Sequence, residues 1–537
     1  MKKTNICVPL VPILVLLLAS YSISSSSTFS SVILPSTGSI SSGMPGPTYS
    51  ILQTGTVTRV VSEPSGTIVY YNANANLAFG AAFGYVASGG NIRVQAGTYT
   101  ANDSSITMLN CNNVYVTFQP NAILTITDWA NTAVFRMEND ANCIISGIGI
   151  DGNAANQLSS STIGGVIMVD CSNCLVTGAN ITNCRASGFL TGDNHAGHQP
   201  NGIINSIVTF AGWNGISLGW GGTDTIGAFA KNNTVAYCSD VGITGYGVRC
   251  VIIGNYIHDM NGTTGDGGNA HYGIAVEENG YDIIANNTIE NCVGAAWHGV
   301  GIITNTGAMT TSNLIIYNNI TNCNGGISLS GDNDVVMYNT VTEWGAVGGS
   351  GGINFWSSAE DGICSFNTLK SINDVYDAIM ISGAGNCTVS NNKITMNTAY
   401  TISGVLICNS AHENLVRYNN IQARTGITIQ SGCSSNKLDQ NTLTNCTTRI
   451  SDSGTGTIIN PTYSATYKLT FANVYDGSAH GTYIYPNSTQ VSITLSSGGV
   501  LNVDGLNVTL AGNAYTLSMN QDHYAYALGT TTINSGG

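Results

Sequence analysis

Between Asn233 and Asn441 one short pattern keeps returning: an asparagine, any residue, then isoleucine, valine or leucine. The asparagines stand at 233, 255, 287, 318, 339, 367, 392, 419 and 441, each with its apolar partner two residues on: Val235, Ile257, Ile289, Ile320, Val341, Leu369, Ile394, Ile421 and Leu443. Successive spacings are 22, 32, 31, 21, 28, 25, 27 and 22 residues. A unit of that length cannot bury an apolar face alone and must stack on its neighbours, which predicts a solenoid. A second beat follows, a glycine or alanine ahead of an apolar residue that opens a short strand, as in GITGYG from 242, GIAVEENG from 273, GISLSG from 326 and GITIQSG from 426.

The uneven spacing selects β-coils, which absorb insertions in their turns, over helical repeats, which hold their length. Each coil offers two or three apolar segments of 3 to 5 residues and no helical period. Asparagine has a physical role at a recurring turn: it tolerates left-handed backbone, and stacked amides can hydrogen-bond from coil to coil. The reading is an all-β chain, a parallel β-helix of about 12–14 coils at roughly 4.8 Å each, hence a rod of about 60 Å.

The Asn-x-Ile turns, the segment Ile150-Asp151-Gly152-Asn153 and the opening GGNIRVQAGTYT at 89–100 resemble the right-handed parallel β-helix, pectin-lyase-like superfamily, over about residues 75 to 460. The resemblance implies right-handed coils with PbH1-type repeats. It does not choose an activity, because that superfamily holds lyases, hydrolases, epimerases, phage tail proteins and non-catalytic surface proteins.

Along the chain, Lys2 and Lys3 precede an apolar run from Ile6 to Leu18 and the small residues Ala19 to Ser22, which reads as a signal peptide over 1–22, with an uncleaved anchor as the alternative. Residues 23–50 form a Ser/Gly/Pro-rich spacer. Residues 51–105 read as an N-terminal cap, with a short amphipathic helix over Asn74 to Ser88 and a strand over Asn91 to Gln95. The β-helix occupies 106–460, and alternating segments in 461–537 predict a small antiparallel, sandwich-like β-domain that closes the rod or acts as a binding module. Together these imply a secreted or cell-surface protein, with attachment to the envelope as one arrangement.

Only 8% of residues are charged while 43% are hydrophobic, which fits a large core and neutral turns and excludes a disordered chain. The net charge is −14, and the 15 lysines and arginines form no patch, which argues against nucleic acid. Of 15 cysteines, Cys184, Cys238, Cys292, Cys323 and Cys446 lie three residues after the core residue of their coil. That fixed address marks small apolar thiols rather than disulfides, with Cys292 and Cys323 close enough in adjacent coils to bridge. Cys171 and Cys174 have metal-ligand spacing without the second pair a zinc site needs. Ten Asn-x-Ser/Thr sequons, among them Asn102, Asn261, Asn487 and Asn507, fit an exported glycoprotein.

Chemistry in a solenoid collects where coils carry insertions. From the core residue to the next strand-opening apolar residue there are 7 residues at Ile320 and 6 at Ile421, but 17 at Ile257, 11 at Ile289 and 12 at Val341. The longest insertion holds Asp259, Asp266 and His271. Aligning HYGIAVEEN (271–279) with WHGVGIITN (297–305) sets His298 over Tyr272 and Trp297 over His271, and alternation turns Glu277 outward. Asp240 and Tyr246 come from the coil before; Glu343, Trp344, Trp356, Asp374 and Asp377 come from coils after.

Such a face suits carbohydrate. Candidate catalytic groups are His271, Glu277, His298, Asp266 and Asp240, since paired carboxylates serve as acid and base or nucleophile in glycoside hydrolysis, and Tyr272, His271 or His298 can supply the base of an elimination or epimerisation. Tyr246, Tyr272, Trp297, Trp344, Trp356 and Glu343 are candidate substrate contacts. Asp259, Asp266 and Glu277 form a candidate Ca2+ set that would neutralise a uronate carboxylate. Any one of these residues has a plainer role as a turn cap or a solvated side chain.

The family's catalytic motifs are missing: polygalacturonase-like Asn-Thr-Asp, Asp-Asp, Gly-His-Gly and Arg-Ile-Lys, a pectate-lyase arginine base on the rod face, and the Asp-Pro-His-Asp of mannuronan epimerases. Asp193-Asn194-His195-Ala196-Gly197-His198 is a weak echo of the last. Two readings follow. One is an exported β-helix protein that binds a polysaccharide or glycan and acts on it as a lyase, glycoside hydrolase or uronate epimerase. The other is a non-catalytic surface or envelope protein, such as an adhesin, that uses the rod as a spacer.

Overall fold

The structure is a computed structural model that describes residues 46–158, 164–192, 200–219, 226–262, 270–277, 280–294, 298–304, 312–345, 351–371, 376–399, 402–460, 490–495, 500–503, 506–509 and 515–520. The proposed signal peptide and almost all of the spacer lie outside these residues. So do Asp193 to His198, Asp266, Trp297 and Asp374.

Each coil lays one short strand in each of three sheets. In one coil the chain runs through Val251–Ile253 in the first sheet, turns at Asn255, runs through Tyr256–His258 in the second, and returns through Tyr272–Val276 in the third. The following coil pairs with it in parallel and in register: Ile252 with Ile284, Ile257 with Ile289, Ile274 with Ile302. The second and third sheets hold 14 strands each, and the first holds 18, because Thr48–Thr54, Val57–Glu63 and Thr67–Asn72 are added at its start, joined antiparallel to one another, and Ile458–Asn460 at its end. The coil count matches the periodicity of the sequence.

The first coil is closed by a helix, Ala75–Val86, whose N-cap Asn74 accepts a hydrogen bond from the Asn76 amide at 2.9 Å. Phe79 packs edge-on against Tyr99 at 5.5 Å, and Phe83 against Phe135 at 6.2 Å, so aromatic rings seal the end of the core.

The recurring asparagines form one unbroken ladder. Both the backbone amide and Nδ2 of Asn255 donate to Oδ1 of Asn287 at 3.0 Å, and Nδ2 also donates to the Ala230 carbonyl at 3.0 Å. Asn287 treats Asn318 in the same way, and the scheme continues through Asn419 onto Asn441. All nine side chains are buried. One coil upstream Ser206 takes the place of asparagine, offering its own amide to Asn233 and accepting from the Ala179 amide.

The glycine beat has an equally specific cause at the corner between the second and third sheets. A Cβ on Gly215 would lie 2.3 Å from Cγ1 of Val235, and one on Gly404 would lie 2.2 Å from Cγ2 of Ile421. The core residue of the next coil already fills that space, so no side chain fits.

All 14 described cysteines are free, and Cys184, Cys238, Cys292 and Cys323 are buried at their shared address. The thiols of Cys292 and Cys323 lie within hydrogen-bonding reach of each other. Cys171 reaches Cys174, which in turn reaches Cys143. Among the described residues no set of three metal-binding side chains converges. Past Asn460 the described residues form two antiparallel pairs, Gln490–Leu495 with Tyr515–Asn520 and Val500–Val503 with Leu506–Thr509.

The row just ahead of the first sheet carries Asn201, Asp282, Asn313, Asp334, Asn414 and Asn436, whose side-chain oxygens accept backbone amides of the preceding coil. Burial pushes the Asp334 carboxyl up from 3.8 to about 7. The sign is then fixed: the folded chain holds a proton the unfolded chain releases, so this stabilisation is complete below about pH 4 and fades as pH rises through 7. Asp140 adds to the trend, raised to about 7 by burial. Thermal melts should therefore show lower stability at pH 8 than at pH 5. Asp334→Asn keeps the acceptor and should recover on the order of 3 kcal/mol at pH 8; an unchanged pH slope in this variant would contradict the assignment.

Candidate functional site

The inner side of the third sheet is closed by Ile274, Val276 and their equivalents, so alternation sends the intervening row outward. That row runs Ser217, Thr244, Ala275, Ile303, Ser328, Asn354 through successive coils. All but Ile303 are buried although they point away from the core. A polar, recessed strip therefore lies along this face.

Ionisable groups gather over it. Tyr246 follows its strand and Glu277 the next one, which makes them neighbours in a single row. The Tyr246 hydroxyl reaches both the Glu277 carboxylate and the Asn214 amide. Burial, followed by the charge of Glu277, pushes the Tyr246 phenol far up, so it stays protonated and donates. Tyr272 is raised as well, by burial and then by Asp240 and Glu277. Asp240 is anchored: Trp213 Nε1 donates to Oδ2 at 2.9 Å and the Ala270 amide to Oδ1 at 3.1 Å. Two carboxylates thus lie near two phenols, one of which, Tyr246, reaches Glu277.

Two histidines border the group. His298 meets the Tyr272 ring edge-on at 6.0 Å. His271 places Nδ1 3.1 Å from the Val293 carbonyl, which makes Nδ1 the donor and leaves the Nε2 lone pair buried and without a partner among the described residues.

The structure departs from the sequence-based expectations in several places. Pairing is Ile274 with Ile302, not with Val300, so the alignment of these coils is off by two residues. The cause is a choice of glycine: Gly301 meets Ile320 in the crowded corner, while Gly299 takes a left-handed φ of 84° in the turn. Trp344 is no sugar platform. It is buried in the core at the cysteine address, three residues after Val341, with Nε1 donating to the Tyr376 carbonyl at 3.3 Å. Burial and the neighbouring Asp240 and Glu277 carboxylates disfavour the Tyr272 phenolate.

The proposed calcium set does not assemble from Asp259 and Glu277. Asp259 pairs with His258 Nδ1 at 2.8 Å and accepts from Asn291, and the hydrogen bond from His258 holds its carboxyl below the usual range. Glu277 serves Tyr246 instead, with the strand Tyr272–Val276 between the two. Glu343 sits in the left-handed turn row, φ 52°, that also holds Asn291 and Asn322. Trp356 is on the face, its Nε1 donating to Ser328 Oγ at 2.7 Å.

Sequence reasoning missed Trp213, Asn214, Thr244 and Asn354. Aligning coils on the glycine beat would have found the first two, because Trp213 and Asn214 precede Gly215 as Asp240 and Val241 precede Gly242.

Residues 196–369 match the family model described as right handed beta helix region. The solenoid is a right-handed β-helix. Among solved structures, the β-helix is similar to the Azotobacter vinelandii mannuronan C-5 epimerase AlgE6 A-module, at 15% identity over 72% of this chain and 94% of that one, TM-score 0.39. It is similar to the DFA-IIIase of Arthrobacter chlorophenolicus A6, at 13% over 56% and 83%, TM-score 0.41. It is also similar to the Streptococcus pneumoniae surface protein and adhesin PfbA, at 14% over 73% and 97%, TM-score 0.36. These likenesses concern the coil architecture and carry no chemistry to this chain. Comparison with curated proteins gives no sequence match.

Proposed function

We propose that this β-helix protein binds a saccharide on the outer face of its third sheet, with Glu277 as the proton acceptor at the centre of the site. The observation that carries the reading is the shared cluster of Asp240, Tyr246, Tyr272 and Glu277 on a recessed outward face. Asp240, fixed by Trp213 and the Ala270 amide, is the anchor. Tyr246, kept protonated, orients Glu277 by donating to it. His271 Nε2 is a second, buried acceptor at the opposite end of the strand. Trp356 offers a ring against a sugar face farther along the strip. The arrangement suits acid–base work on a glycan, and the N-terminal sequence accords with export to the place where glycans are met.

The test is a screen of the exported chain against neutral and uronate polysaccharides, following binding by affinity electrophoresis, unsaturated products by ultraviolet absorbance, and reducing ends. Binding, with any product lost in Glu277→Gln and the thermal melt unchanged, supports the reading. Binding without product retains the saccharide face and removes the proton-transfer role. No binding across the panel overturns the proposal in favour of a structural rod.

A further inference from the structure

The site's charge balance narrows its ligand. From Phe189 to Cys408 the strands of the third sheet contain no lysine or arginine. Over the whole span 186–402, turns and insertions included, the sequence has only Lys231, Arg249, Lys370 and Lys393. Lys231 ends a first-sheet strand, and Lys370 and Lys393 lie in second-sheet strands. Arg185 stands just upstream of the span, two coils before Asp240. Arg249 borders the site in the exposed turn beyond Tyr246, and Arg185 lies one coil from Trp213. Against them stand Asp240 and Glu277, with Asp377 five coils on from Asp240 along the same face.

A second observation says what the strip does offer. Thr244 and Asn354 are both 0% exposed, and Thr244 Oγ1 and Asn354 Oδ1 have no hydrogen-bond partner among the described residues. Both belong to the outward row, four coils apart. Both lie beneath the surface, so they make the floor of the strip polar and uncharged, a setting that suits hydroxyl groups, which both donate and accept. A uronate carboxylate can only accept and would meet Asp240 and Glu277 as like charges, whereas the hydroxyl groups of a neutral sugar can donate to both.

We infer that the site selects an uncharged saccharide, one that meets the strip through hydroxyl groups, and rejects polyuronates. This rests on the saccharide reading above and goes further by naming the class.

The experiment is affinity electrophoresis of the full chain through gels containing a soluble β-glucan, a galactomannan or a fructan, against alginate and polygalacturonate, each with chelator and with calcium. At least one neutral polymer should retard the chain at a concentration at least about tenfold lower than either polyuronate. Asp240→Asn/Glu277→Gln, checked for an unchanged melting temperature, should narrow that ratio. Equal or tighter binding of a polyuronate, with or without calcium, overturns this inference while leaving the saccharide reading intact. Failure of every polymer to bind removes both.

Discussion

Gly404→Ala is expected to destabilise the β-helix by about 2–3 kcal/mol, and Gly404→Val by more than about 4 kcal/mol. The added Cβ would sit 2.2 Å from Ile421 Cγ2 and 2.9 Å from the Gly426 carbonyl oxygen, and neither can retreat. Ile421 is itself locked in the core, and the carbonyl belongs to the next coil's strand. Gly84→Ala is the control. Gly84 lies in the capping helix with nothing within 4 Å of where a Cβ would stand, so alanine there should be neutral or stabilise by up to about 1 kcal/mol. Urea midpoints followed by circular dichroism check the pair. A Gly404→Ala protein as stable as wild type would show that this corner is not close-packed.

Asn339→Ala should cost about 3–5 kcal/mol, the second large effect. Oδ1 of Asn339 accepts from the Asn318 amide at 2.9 Å and from Asn318 Nδ2 at 3.0 Å. Its own Nδ2 donates to Asn367 Oδ1 at 3.0 Å and to the Ile315 carbonyl at 2.9 Å. Alanine leaves the Asn318 amide and the Ile315 carbonyl buried and unpaired, each costing about 1–3 kcal/mol. Asn441→Ala, at the end of the ladder, breaks the contacts on one side only and should cost less. Thermal melts of the two variants compare them directly; equal losses would mean that the ladder has no cooperative interior.

Much of the fold was legible because a solenoid repeats its physics. The asparagine at each turn could be read from spacing alone, since an amide serves two coils at once, and the glycine beat follows from one crowded corner repeated along the rod. Register between particular coils was less legible. Gly299 and Gly301 are indistinguishable as letters, and only the position of Ile320 decides which one must lack a side chain. Trp344 misled for a related reason: a core address that accepts cysteine, alanine and methionine in other coils accepts indole where the neighbours leave room.

The site divides the same way. Asp240, Tyr246 and Glu277 could be placed on one face from alternation. Trp213 and Asn214 escape the asparagine ladder, because they lie upstream of its first member, where Ser206 stands in for the amide, and only the glycine beat at Gly215 marks them. Other rows were hidden altogether. Tyr317, Tyr338 and Phe366 take left-handed backbone and stack at 5.0 and 5.1 Å along the rod, an aromatic counterpart of the asparagine turns whose repeat is too short to stand out in sequence.

The most direct test of the central claim is hydrogen–deuterium exchange of the full chain, with and without a saturating polysaccharide found in the binding screen. Protection should appear in peptides covering 240–246 and 272–277 on the third sheet, with the second-sheet strands Tyr256–His258 and Thr288–Glu290 unchanged. Protection confined to the second sheet, or to the turns that carry the asparagine ladder, would place the ligand elsewhere and contradict the account.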